Sequence, residues 1–355
     1  MTFSKFLKLI IPVLLYLIVA CKPVATIQVL QPAQIIIPEH IQKILLVDRS
    51  KPSGGWFSNL EGLFSGEEYQ QDQQGRRMAM EALVNSLSKT PRFQIINPGL
   101  EFEGSRGGRS MMAPMNGWDV EELCKKYEAD ALLAIEMFDS DIQTGTSPRT
   151  VKEKDKTGKE ISKIVYDGKR NGRVNLGWRI YDPSTKSIIE EYKDSDTNEK
   201  SSSAADTQQN AVNNLQRSNE MVRGIAQKLG SKYGARIAPI YIQVARSYFK
   251  TVKGRNKDKF EEAARYADTK EWLRANAIWE KIAAQGSDKE AAGKATYNMA
   301  VAAEVNGLLS QALQLAKDAY TQYGLKNAKS YIRTLEQRLA DQELIERQMH
   351  EQKKS

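Results

Sequence analysis

The residues able to do chemistry are few, and their placement restricts what they could do. Two histidines occur in 355 residues. His40 precedes a short aliphatic run and His350 lies in a charged tail, so neither a serine-histidine-aspartate set nor a multi-histidine zinc site can be assembled from well-placed members. A carboxylate-pair hydrolase needs only two suitably spaced acids and leaves no sequence signature. Asp48, Asp139 and Asp141, all at ends of expected strands, are its candidates, and that chemistry is held as a minor alternative. Gly104 to Arg109 (GSRGGR) invites a phosphate-loop reading, yet it lacks the Gly-Lys-Ser/Thr ending and the strand-to-helix placement that cradle an anion, so a loop is expected. Cys124 falls on the apolar face of an expected helix with no histidine near it, the pattern of a small core residue rather than a reactive thiol. Cys21 differs, because it follows Ala20 at the end of an apolar run that starts at Leu9, behind Lys5 and Lys8.

A basic start, a short apolar stretch and a small residue make an export signal. Leu17-Ile18-Val19-Ala20-Cys21 resembles the lipobox of bacterial lipoproteins, and the resemblance implies removal of residues 1–20, diacylation of the Cys21 thiol and acylation of the new N-terminus. The covalent lipid at Cys21 is then the one attached group expected, with no metal and no other cofactor. Because no acid directly follows Cys21, the reading favours the periplasmic face of the outer membrane over surface export. With Cys21 lipidated, Cys124 has no cysteine partner left and no intrachain disulfide is expected.

Composition agrees with an ordinary globular chain. Hydrophobic residues make up 41% and charged ones 27%, and the formal charge is +8. Subtracting Lys5 and Lys8 leaves about +6, spread among interspersed acids, which is not the concentrated patch that nucleic acid requires. The length suits two domains.

The elements that must position any site follow from periodicity. Residues 21–38 carry three prolines and read as a lipid-anchored tether that becomes a β-edge or extended segment as it reaches the first domain. Ile41 to Val47 is a compact aliphatic run, a buried central strand opening at Asp48-Arg49-Ser50 into a loop holding Trp56 and Phe57. Ala79, Met80, Leu83, Val84 and Leu87 share one helical face, Phe93 to Ile96 is a second strand, Trp118 to Tyr127 a second helix and Ala131 to Phe138 a third strand. That order predicts a parallel sheet with right-handed crossovers. Gln143 to Gly172 reads as a surface insertion or flexible hairpin. Val174 to Tyr192 alternates with period two around Asp182-Pro183, an antiparallel hairpin. Asp194 to Asp206 reads as a loop, Thr207 to Lys232 as a helix, and Arg236 to Phe249 as a closing strand. The order resembles the periplasmic α/β domains of TolB N-terminal, curli-secretion and penicillin-binding-protein-activator lipoproteins, which implies a binding or scaffold domain and transfers no catalytic residue.

In the last third, Tyr297-Asn298-Met299-Ala300, Ala302, Gly307, Ala312 and Ala319 resemble one tetratricopeptide repeat. Small residues fit where helices cross closely. Phe260 to Ala284 is similar to a degenerate copy, with Trp272, Ala275 and Trp279, and Lys326 to Gln348 would be the capping helix. The expected fold is thus a signal peptide (1–20), the tether (21–38), a mixed-sheet three-layer α/β domain (39–253), tetratricopeptide-like hairpins (256–325) and a cap with a tail (326–355). As a whole the chain resembles uncharacterised tetratricopeptide lipoproteins of Bacteroidota-type envelopes. The resulting expectation is a non-catalytic envelope scaffold, bound to the membrane by lipid, that recruits an envelope protein through Trp56, Phe57, Trp272, Trp279, Tyr297, Glu304 and Lys317; the alternative is a peptidoglycan- or glycan-binding module.

Overall fold

A computed structural model of the chain describes residues 24–51, 66–104 and 110–349. It divides into two compact units, one built on Pro32–Ile240 and the other on Tyr241–Leu344 together with the strand Val24–Gln31. The architecture is mixed α/β followed by a helical array, as the periodicities predict.

In the first unit the five-stranded sheet runs in the order β3-β2-β4-β5-β6. β2 (Lys43–Lys51) lies parallel to β3 (Gln94–Glu103) and to β4 (Ala131–Lys154). β5 (Glu160–Asp182) and β6 (Ser187–Ala205) continue antiparallel. Alternation along β2 sends Ile44 and Leu46 to one face and Leu45 and Val47 to the other. On the first face lie helix α1 (Gly66–Leu87) and the long helix that follows β6; on the second lies α2 (Gly117–Tyr127), through Val120 and Cys124. Both faces are covered, which is why β2 reads as an unbroken apolar run.

Of the two polar stretches, 143–172 takes the hairpin form among its expected alternatives, as long regular strands, while the expected loop at 194–206 is strand. The insertion at 143–172 is regular β4–β5 ladder down to Lys154 opposite Glu160, closed by a turn in which Asp155 accepts hydrogen bonds from the Thr157 and Lys159 amides. The expected loop at 194–206 instead continues β6 to Ala205. These arms are polar and mostly exposed, so they lack the apolar alternation that marks a strand in sequence. Cross-strand pairs such as Arg149–Asp167 (2.7 Å) and Lys169–Glu199 (2.9 Å) join them.

The expected helix from Thr207 is two: α3 (Gln208–Asn213), capped by the Thr207 hydroxyl, and α4 (Ser218–Ile237). α4 crosses α1 closely at Gly230, where a Cβ would overlap the Ala79 carbonyl oxygen, a backbone atom that cannot swing aside. Gly230→Ala is therefore expected to cost about 1–3 kcal/mol of stability in urea denaturation, since overpacking forces the helices apart. Beneath this crossing Trp178 stacks on Tyr233 with ring centroids 4.9 Å apart.

In the second unit, β1 (Val24–Gln31) buries Ala25, Ile27 and Val29 in alternation and pairs with β7 (Ile240–Ser247) as a two-stranded sheet. The tether segment thus takes the β-edge form among its expected alternatives, and the expected closing strand joins it instead of the five-stranded sheet. The main segment of the compact α/β unit ends at Ile240. Five helices follow: α5 (Lys257–Asp268), α6 (Trp272–Gln285), α7 (Lys289–Val305), α8 (Leu309–Thr321) and α9 (Ala328–Met349). α7 and α8 are joined at Gly307, whose φ of +79° suits a residue without Cβ. Alanines dominate the helical contacts: Ala275, Ala295, Ala300, Ala312 and Ala316 are fully buried. Among the described residues no helix is long and apolar enough to cross a membrane.

Candidate functional site

Four arrangements are positioned well enough to bind something or to hold a site together, and the first two grow from adjacent residues of β2. Because side chains alternate along a strand, Asp48 and Arg49 emerge on opposite faces of the sheet. On the α2 face, Arg49 Nη1 donates to both oxygens of Glu136, at 2.7 and 3.0 Å. The Tyr181 hydroxyl donates to Glu136 at 2.5 Å, and Arg179 Nη1 stands 3.5 Å from the same carboxylate. Glu136 is fully buried. It sits where the β4–β5 pairing slips between Ile135 and Met137, an irregularity that re-aims a side chain. The two guanidiniums also reach outward: Arg179 donates to the Met112 carbonyl at 2.6 Å and Arg49 to that of Ala113 at 3.3 Å, while the Met115 amide donates to Tyr181. The network therefore pins the segment before α2. Every carboxylate oxygen is engaged, so it is built to hold structure rather than to transfer protons. Burial and the neighbouring Glu136 carboxylate push the Tyr181 hydroxyl up from its ordinary value.

On the opposite face, Asp48 accepts from the Ser50 amide at 2.8 Å and hydroxyl at 2.7 Å, and lies 3.3 Å from Nε of Arg76 on α1. Arg76 opens onto a recess of about 140 Å³ that Arg77, Asn97, Leu100 and Glu101 also line. A third, wider recess of about 400 Å³ is polar, lined by Gln70, Gln71, Gln74, Arg170, Arg217 and Asn219.

The fourth is in the helical unit, where a groove of about 550 Å³ runs past Thr26 of β1, the α5–α6 turn from Lys270 to Arg274, and Val305 and Asn306 at the end of α7. Leu273 stands on it 75% exposed, beside the buried Trp272. Glu271 and Arg274 pair with each other at 2.7 Å.

The residues nominated from sequence scatter. Cys21, Trp56 and Phe57 lie outside the described residues, as does His350. Asp139 accepts from Asn175 at 3.0 Å, while Asp141 is exposed and bonded to Gln143. His40 lies 3.2 Å from Asp182. Burial first, then Asp130 and Asp182, push the Cys124 thiol up to about 12, so it is a core residue and no nucleophile.

Of the expected docking surface, Trp279 is wholly buried and Trp272 and Tyr297 nearly so. They belong to an aromatic core in which Tyr248 meets Trp272 edge-on at 5.6 Å and Tyr297 meets Tyr331 at 5.2 Å. Glu304 is 3% exposed and receives Arg246, Arg338 and Tyr331 at 2.9, 2.6 and 2.7 Å. Their burial places these four in the core of the unit, Trp272 at the edge of the groove above, because aromatic residues on the inward stripe fill cores as readily as they anchor interfaces. Lys317 is half-exposed and lies 3.5 Å from Glu336.

Arg76 and Glu136 are not among the residues nominated from sequence, and both carry a signal there. Glu136 is a lone acid inside the apolar run ALLAIEMF, and Arg76 lies three, four and seven residues before Ala79, Met80 and Leu83, on the inward face of its helix. Among the described residues no group of three histidine, cysteine or acidic side chains could hold a metal ion.

A family model described as a domain of unknown function, DUF8603, matches residues 41–249. The chain belongs to the DUF8603 family. The DUF8603 match takes in all of the five-stranded sheet and both of its charged clusters, and a second model, also a domain of unknown function, DUF6340, matches residues 261–337 of the helical array. No curated protein matches. Among solved structures, the chain is similar to the PelC dodecamer from Paraburkholderia phytofirmans, at 10% identity over 61% of this chain and 99% of that one, with a TM-score of 0.25. It is also similar to a minor lipoprotein from Acinetobacter baumannii, at 12% identity over 56% of this chain and 98% of the other, with a TM-score of 0.21.

Proposed function

We propose that this DUF8603 protein is a non-catalytic adaptor of the bacterial cell envelope. Lipid on Cys21 holds it at the periplasmic face of the outer membrane, and its tetratricopeptide-like helices bind a protein partner. The observation that carries the reading is Leu273, three-quarters exposed on the rim of a groove of about 550 Å³. A large aliphatic side chain at a groove mouth favours an apolar anchor from a partner. Glu271 and Arg274 neutralise each other, leaving Lys270 as the unbalanced charge among the described lining residues, so the partner segment is an apolar residue next to an acidic one. Two or more acyl chains suffice for stable anchoring.

The test is crosslinked co-purification of the intact lipoprotein from envelopes, wild type beside Leu273→Glu. The expected result is one partner whose recovery falls about tenfold in the variant, in line with removal of an interface anchor, at unchanged thermal stability. Equal recovery from the two proteins overturns the groove. A second reading, a glycan-binding module on peptidoglycan, is favoured by the polar recess around Gln74 and Arg170, where buried Asn219 Oδ1 has no donor among the described residues. Retention by isolated sacculi that is lost in Gln74→Leu would select it.

A further inference from the structure

Arg76 is an unusual side chain to leave half-used. It is 3% exposed, its Nε faces Asp48 Oδ2 at 3.3 Å as an ion pair without hydrogen-bond geometry, and neither Nε nor Nη1 has a hydrogen-bond partner among the described residues. A buried donor without an acceptor costs about 1–3 kcal/mol, and more when charged. Such a group persists where something outside the chain supplies the acceptor. The space for it exists: Arg76 lines the recess of about 140 Å³ described above, room for about four to five waters at about 30 Å³ each.

The lining identifies the occupant. Arg77, exposed and without an ion pair among the described residues, stands beside Arg76 at the mouth. Asn97 spends its side-chain oxygen on the Gly99 amide at 3.3 Å, which leaves its NH₂ to donate. Guanidinium and amide donors together call for an oxyanion. Asp48 offsets Arg76 and Lys51 offsets Glu101 at 3.7 Å, which leaves Arg77 and a local charge of +1, matched to a monoanion rather than a dianion. Met80 and Leu100 give the recess an apolar wall. We propose that this recess, on the α1 side of β2 and β3, binds a small aliphatic carboxylate monoanion, its oxygens on Arg76 and Arg77 and its alkyl end against Met80 and Leu100. The site lies in the DUF8603 match and is independent of the groove at Leu273.

Isothermal titration of the full chain in detergent, with propionate and inorganic phosphate at matched ionic strength, tests it. Propionate should bind saturably and phosphate at least tenfold more weakly. Arg76→Met should weaken propionate by tenfold or more, as expected for loss of a charged hydrogen bond, and Arg77→Ala about threefold, as for an exposed charge. If Arg76→Met fails to fold, Arg76→Lys and Arg77→Ala carry the comparison, because lysine keeps the charge and lacks the planar fork. Absence of saturable propionate binding, undiminished affinity in Arg77→Ala, or phosphate binding as tight as propionate each overturns the proposal.

Discussion

Glu304→Ala will destabilise the helical unit by about 3–5 kcal/mol, the cost of removing one member of a buried ion pair and leaving its partners uncompensated. The carboxylate sits on α7 and is met by Arg246 from β7 and by Arg338 and Tyr331 from α9. Three elements far apart in sequence are thereby joined at one buried point. Urea denaturation followed by far-UV circular dichroism measures the loss. Glu304→Ala with Arg246→Met and Arg338→Met should recover part of it, since an apolar replacement for a whole ionic cluster is tolerated better than half of one.

The same residue makes stability depend on pH in a stated direction. Burial alone would push the Glu304 carboxyl up, but hydrogen bonds from Arg246, Tyr331 and Arg338 outweigh it and hold the carboxyl below its ordinary value of 4.5. A carboxylate depressed on folding contributes fully above its unfolded pKa, and the contribution disappears as pH falls through the folded one. Below about pH 4.5 the wild type should thus lose stability more steeply than Glu304→Gln. Parallel acid limbs in the two proteins would show that Glu304 does not carry the effect.

Glu136→Gln will destabilise the α/β unit by a similar amount, about 3–5 kcal/mol, and will also loosen a particular segment. Neutralising Glu136 leaves Arg49 and Arg179 facing each other across a buried amide. These two guanidiniums hold the Met112 and Ala113 carbonyls. Hydrogen exchange should therefore rise across residues 111–116 before it rises in β2 or β4. Uniform protection loss over the whole sheet would mean that the network stabilises the fold without positioning this segment. Because the segment leads into α2 through the Asn116 cap, which accepts from the Trp118 amide at 3.0 Å, the first turn of α2 should follow it.

What could be read from sequence differed by element for physical reasons. Ile41 to Val47, the stripe at Ala79, Leu83 and Leu87, and the period-two stretch from Val174 to Ile180 were legible because each buries one face or both, and burial imposes a pattern on residue type. The distal arms of β4 to β6 bury little, so their residues carry no apolar alternation: 143–172 reads only as an insertion or flexible hairpin, and 194–206 as a loop. The helical array was legible from its alanines, but its outward surface was not: Trp279, Tyr297 and Glu304 are residue types found in interfaces and in cores alike. β7 was visible as a strand, yet nothing local in Ile240–Ser247 names its partner. Pairing with β1 joins residues about 210 positions apart along the chain, and such non-local contacts are set by the whole fold.

The sequence by itself determined the fold class and the inward stripes, since these depend on composition and on periods of two and 3.6 residues. It also placed Asp48 and Arg49 side by side at the end of the first strand. Only the tertiary structure decided that they serve opposite faces of the sheet. On one face Arg49 is consumed by a closed, fully paired network around Glu136; on the other, Asp48 takes up part of Arg76 and leaves an open donor beside a cavity. Whether a buried charge is satisfied depends on which side chains the fold brings within about 3 Å of it, and that distance is not written in any local stretch of the chain.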